Sequence, residues 1–134
     1  MLLTDADEIV ERAKNAQTVA VVGISRNPER ASYQIADQIR ERYTLLLVNP
    51  KYAGETILGT MVYSSLREIK MHVDIVDVFR NPQFIEPIIK DAIAIGAGAV
   101  WLQPGSENME IVEKYKDKID IIYHSCLGVV SRMI

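Results

Sequence analysis

A chain of 134 residues is long enough to bury one core and too short for two, so a single domain over residues 1–134 is expected. With 25% charged residues, 49% apolar ones and a net charge of −3, it has the balance of a soluble globular protein and no general attraction for nucleic acid or anionic membrane. Its apolar runs fall short of the ~20 residues of a membrane span, Met1-Leu2-Leu3-Thr4-Asp5 has neither the basic flank nor the apolar core of a signal peptide, and the single Cys126 has no disulfide or zinc partner; a cytoplasmic protein without metal is expected.

Thr4 or Asp5 can cap a first helix whose Ile9, Val10 and Ala13 share one face, a helix expected to pack on an edge of the fold. Thr18 to Val22 is β-branched at every position but Ala20, the pattern of a buried strand, and it ends at Gly23, where the chain can turn without a Cβ in the way. A loop rich in Ser, Asn and Arg leads into a helix from about Ala31 to Arg42, with Ile35, Ala36 and Ile39 as its buried stripe. Leu45 to Val48 forms a second strand, stopped by Asn49-Pro50. A loop with Lys51 and Tyr52 follows, and the spacing of Ser65 and Glu68 predicts a capping box at a short helix. Val73 to Val78 is a third strand, less uniformly apolar than the others, ending at Phe79-Arg80-Asn81-Pro82. The spacing of Ile85, Ile88, Ile89, Ala92 and Ile93 predicts a helix that stops at Gly96. Ala99 to Leu102 is a fourth strand with Trp101 as a core residue, Ser106 or Asn108 opens a helix through about Lys116, and Ile119 to Tyr123 is the fifth strand before a short apolar tail.

Strands alternating with helices predict an α/β fold, Rossmann-like and doubly wound, in which a five-stranded parallel sheet carries helices on both faces. With right-handed crossovers and a nucleotide site at the switch point, the expected order is 3-2-1-4-5, counting Thr18–Val22 as the first strand. The loops after the strands then gather at one crevice.

The loop after the first strand is not an ordinary dinucleotide fingerprint. Gly23 is present, but Ser25 and Pro28 stand where further glycines would let the backbone approach a pyrophosphate, and Asn49-Pro50 replaces the acid that holds a ribose. An NAD site is disfavoured, and no Gly-Lys-Ser/Thr follows to make a P-loop. What remains is a phosphate loop working through side chains, Ser25, Arg26, Arg30 and Ser32, at a helix start, with Lys51 and Arg80 adding charge and Phe79 and Pro82 able to wall an adenine.

The residues Val21 to Tyr33, Val48-Asn49-Pro50, Val73 to Arg80 and Val100-Trp101-Leu102-Gln103 together resemble the small stand-alone CoA-binding proteins of prokaryotes, whose fold is similar to the N-terminal domain of the succinyl-CoA synthetase α subunit and of ADP-forming acyl-CoA synthetases. The resemblance implies coenzyme A or an acyl-CoA as ligand. It implies that Gly23, Ile24, Ser25, Arg26, Arg30, Ser32 and Tyr33 line the phosphate end, that Asn49, Pro50, Lys51, Val78, Phe79 and Arg80 border the adenosine, and that Gln103 and Gly105 lie along the pantetheine. Cys126 would sit near the ligand thiol, where a mixed disulfide with CoA is a testable hypothesis, although His124-Ser125-Cys126 departs from the family's Asp-Arg-Cys run.

The expectation is therefore a non-catalytic CoA-binding module, a carrier, a sensor or a subunit, with a homo-oligomer or an acyl-CoA enzyme as possible partner. The chain has no room for the further domains that acyl-CoA synthetases need. Two alternatives stay open. One is a small enzyme acting on CoA or another adenine nucleotide with His124 or Cys126 as reactive group, for which no complete catalytic constellation is present. The other is an interaction module that has lost its ligand.

Overall fold

The computed structural model describes residues 1–134. In chain order its elements are β1 (Leu2–Leu3), α1 (Ala6–Asn15), β2 (Thr18–Val22), α2 (Ala31–Ile39), β3 (Thr44–Val48), β4 (Thr56–Ile57) and β5 (Thr60–Tyr63). Then come β6 (Ile75–Val78), α3 (Ile85–Ala94), β7 (Ala99–Leu102), α4 (Met109–Tyr115), β8 (Asp120–Ile122) and α5 (Leu127–Ser131). Short 3-10 turns occupy Pro50–Tyr52, Leu66–Glu68 and Pro82–Phe84.

The protein is an α/β fold with one mostly parallel sheet of eight strands, ordered β1-β8-β7-β6-β2-β3-β5-β4, and only the β4–β5 pair is antiparallel. This corrects the five-stranded sheet of order 3-2-1-4-5. In that numbering the observed order is 2-1-3-4-5, because Ile75–Val78 pairs with the opposite side of β2 rather than extending beyond β3. The outer place beside β3 is taken by β5 of the β4–β5 hairpin, in a stretch read as a loop, and β1 adds a further strand beside β8.

The physical reason is that β5 fills the place beside β3, so the next strand pairs on the free side of β2. α2 packs over one face of the sheet between β2 and β3, so a right-handed return to the other side of β2 has to cross the opposite face. Leu66, Ile69 and Val73 of that return are buried in the core shared with α3 and α4, while α1, α2 and α5 cover the other face. α1 is accordingly a face helix, with Ile9 and Ala13 buried and Asp5 capping Glu8 N, not the edge helix expected. β6, β2 and β7 run between the two cores, which is why their residues are almost wholly unexposed. Trp101 is buried in the α1/α2/α5 core, its indole N–H donating to Ser125 O at 2.8 Å. No helix is long and apolar enough to cross a membrane.

Candidate ligand cleft

In this order the switch falls between β2 and β6, since the loop after β2 leaves toward α2 on one face and the loop after β6 leaves toward α3 on the other. A crevice has to open where the two diverge. A cleft of about 670 Å³ lies there, lined by Gly23, Ile24, Ser25, Arg30, Ser32, Asn49, Lys51, Phe79 and Arg80 of the residues singled out in the sequence, together with Glu29, Ala31, Tyr52 and Asn81.

Local chemistry builds the polar wall. Gly23 has φ +93, and a Cβ there would stand 2.0 Å from Phe79 O, so only glycine lets the loops after β2 and β6 come together. Ser32 Oγ accepts from Ser25 N at 3.0 Å and Ser25 Oγ accepts from Asn27 N at 3.0 Å, folding the loop back onto the start of α2. That helix begins after Arg30 with no side chain capping it, and no acceptor within the chain takes the N–H groups of Ala31, Ser32 or Tyr33. Free donors at a helix start favour an anion. Arg30, Lys51 and Arg80 face the same space and none is in an ion pair. Arg80 lies 5.1 Å over the ring of Phe84 and Lys51 5.5 Å over that of Tyr52, contacts that leave their charge available.

An apolar annex of about 280 Å³ continues the cleft on the α3 side. It shares Gly23, Asn49 and Arg80 with the main cleft and adds Val48, Pro50, Leu66, Phe84, Pro87 and Ile88. Sequence reading missed this wall, because Leu66, Phe84 and Ile88 come from elements that meet there only through the return crossover.

The other residues singled out lie outside both spaces. Arg26 is engaged with Glu55 at 3.2 Å and stacks 5.1 Å over Tyr52, clasping the loop after β2 to the one after β3. Tyr33 packs against the α1/α2/α5 core and Val78 is fully buried in the opposite one. Gln103 is buried and donates to Asp77 Oδ1 at 2.6 Å, and Gly105 N donates to the Glu107 carboxylate. Asn49 lines the cleft, yet its side chain is committed to the scaffold, donating to Ile24 O at 2.8 Å and accepting from Lys51 N at 3.0 Å. Cys126 is half-buried ahead of α5 and His124 is exposed at φ +58, both beyond β8, which β7 and β6 separate from β2. His72 pairs with Asp74 at 3.3 Å, and no group of three His, Cys, Asp or Glu side chains is placed to hold a metal ion.

Comparison with known proteins adds a family to this geometry. The family model described as "CoA binding domain" matches residues 17–132. The uncharacterized protein YneT of Bacillus subtilis is 32% identical over 112 residues, covering 83% of this chain and 82% of YneT. The α subunit of the ADP-forming acetate–CoA ligase II of Pyrococcus furiosus is 23% identical over 128 residues, and the match spans 87% of this chain but only 28% of that subunit. Among solved structures, a Thermus thermophilus protein superposes with a TM-score of 0.90 at 32% identity, covering 97% of this chain and 98% of that one.

Proposed function

The chain belongs to the CoA binding domain family, and we propose that it binds coenzyme A or an acyl-CoA in the cleft between β2, β3 and β6, as a binding module rather than an enzyme. The observation that carries this reading is the set of unpaired cations, Arg30, Lys51 and Arg80, gathered round the uncapped start of α2 in one cleft. A ligand with several phosphates matches that wall, and the annex of Pro50, Leu66, Phe84 and Ile88 offers an apolar berth for a flat base beside it. The name of the Pyrococcus ligase subunit points to CoA as well, although the small share of that subunit matched leaves its ligase activity out of the proposal. Binding is favoured over turnover because neither His124 nor Cys126 borders the cleft, and no side chain of the protein orients either one as a catalytic pair requires. Carrier, sensor and subunit of an acyl-CoA enzyme are the roles this leaves.

Calorimetric titration with CoA, acetyl-CoA, NAD and ATP tests the reading, and the CoA forms bind tightest if it is right. Arg30→Ala weakens CoA binding by about tenfold or more, since a charge-assisted phosphate contact is worth ~1.5–3 kcal/mol. Unchanged affinity in that variant would remove the phosphates from this loop.

A further inference from the structure

Asp77 is the one charged residue type buried completely in the protein, on the central strand β6 with Val21 and Trp101 beside it in register. Its Oδ1 accepts from Gln103 Nε2 at 2.6 Å, whereas Oδ2 has no hydrogen-bond partner at all. A buried carboxylate left half unsatisfied is costly unless it is neutral. Burial accordingly pushes the Asp77 carboxyl up to about 7, against the opposing pull of the Gln103 hydrogen bond. Nothing nearby compensates its charge. The helices on this face turn Ile9, Ala13, Ala36, Ile39, Leu127 and Val130 toward the core, none of them titratable. Of the tyrosines around it, Tyr33 and Tyr52 lie at the margin of this core, and Tyr43, whose pKa burial raises with a smaller push from the charge of Asp77, gives its hydroxyl to Ala13 O. His124 and Cys126 belong to the loop beyond β8, and neither contributes to holding the Asp77 charge.

The same residue is wired to the cleft. Along β6 it precedes Phe79 by two positions, about 7 Å of extended chain, and Phe79 and Arg80 line the cleft. Through its partner it reaches them a second way, because Gln103 O accepts from Ser106 N at 2.8 Å and Ser106 Oγ accepts from Arg80 N at 3.0 Å.

We propose that Asp77 is a proton-linked positioning residue for the phosphate site: binding of a polyanionic ligand in the cleft drives a proton from solvent onto Oδ2, and affinity falls as pH rises past neutrality. This rests on the CoA reading of the cleft. Phosphates and an ionised Asp77 repel one another across a dry stretch of sheet, so the bound state favours the protonated carboxyl. Below the pH at which free Asp77 ionises, the proton is already in place and affinity is flat; between that pH and the higher one at which Asp77 ionises in the complex, binding takes up part of a proton and affinity declines, and above both it is flat again. The ligand's own phosphate ionises at about 6 and strengthens binding as pH rises, the opposite sign, so the two are separable.

The test is the carboxyl 13C resonance of Asp77 in the labelled full chain, followed from pH 5 to 9 without and with saturating CoA. Its titration midpoint is expected to rise by about one pH unit with CoA bound, as for a charge some 10 Å away at an effective dielectric near 20. An unchanged midpoint in the CoA complex overturns the proposal. Calorimetry of Asp77→Asn gives a second readout: the ratio of its CoA association constant to that of the wild type grows about fivefold between pH 6 and 8, while parallel profiles argue against proton linkage through Asp77. If CoA binds at no pH, the reading of the cleft fails and this inference with it; if CoA binds with a fixed Asp77 midpoint, only this inference fails.

Discussion

Gly23 shows how much of the site hangs on one missing side chain. Its φ of +93 is a conformation L residues avoid, and the nearest atom to an added Cβ is a backbone oxygen, Phe79 O at 2.0 Å, which cannot swing aside as a side-chain tip would. Gly96 at the end of α3 has φ +71 with nothing within 4 Å, so a side chain added there would meet conformational strain alone. Gly23→Ala is therefore expected to cost about 3 kcal/mol or more and to abolish CoA binding, and Gly96→Ala about 1 kcal/mol with binding intact. Urea unfolding beside a CoA titration checks both, and equal costs for the two would mean that the approach of the β2 and β6 loops is not what Gly23 permits. Residues of this kind are legible in sequence, because a glycine ending a β-branched strand has few other uses. Val78 and Gln103 were not, since Val78 is closed in by its neighbours on β2 and β7, and the Gln103 amide finds its partner, Asp77, on β6.

At the scale of elements, the C-terminal end of α1 is fastened by the residues that precede β3. The last carbonyls of a helix lack partners within it, and here Tyr43 Oη donates to Ala13 O at 2.6 Å while Arg42 Nη2 donates to Lys14 O at 3.1 Å. Tyr43 is 4% exposed, so removing its hydroxyl leaves a buried acceptor bare. Tyr43→Phe is expected to lower stability by about 1–2 kcal/mol, with the urea midpoint falling at constant slope; an unchanged midpoint would mean that water replaces the hydroxyl. The elements that sequence reading recovered are those with long periodic or continuous apolar patterns. The ones it missed had too little pattern to see. β1 and β4 are two residues each, and the hairpin turn between β4 and β5 puts Leu58 at φ +53 before Gly59, a place where Asn or Asp would have given the turn away.

For the molecule as a whole, strand order was the part least open to inspection, because β3 and β6 are both short apolar strands and either could sit at an edge. The carboxylate of Asp77 makes β6 look less central than it is, and only the burial of all four of its residues between two cores reveals its position. That position matters for stability as well as for the site. A ligand in the cleft touches the loops after β2, β3 and β6 together, and so ties the centre of the sheet to both helical layers. Binding should then stabilise the protein as one cooperative unit over residues 1–134. At a CoA concentration a hundredfold above Kd the gain is about 2.7 kcal/mol, which for a chain of this size raises Tm by roughly 8–10 °C. Arg30→Ala at the same CoA concentration loses about half of that rise, since a tenfold weaker Kd removes ~1.4 kcal/mol. Far-UV circular dichroism reports the helices and strands of both layers, and the fluorescence of Trp101 reports the α1/α2/α5 layer in which it is buried. Both midpoints should move together with CoA and stay put with NAD. A CoA-dependent shift in one signal without the other would mean that the two layers unfold separately, and that the cleft stabilises only the half of the molecule nearest to it.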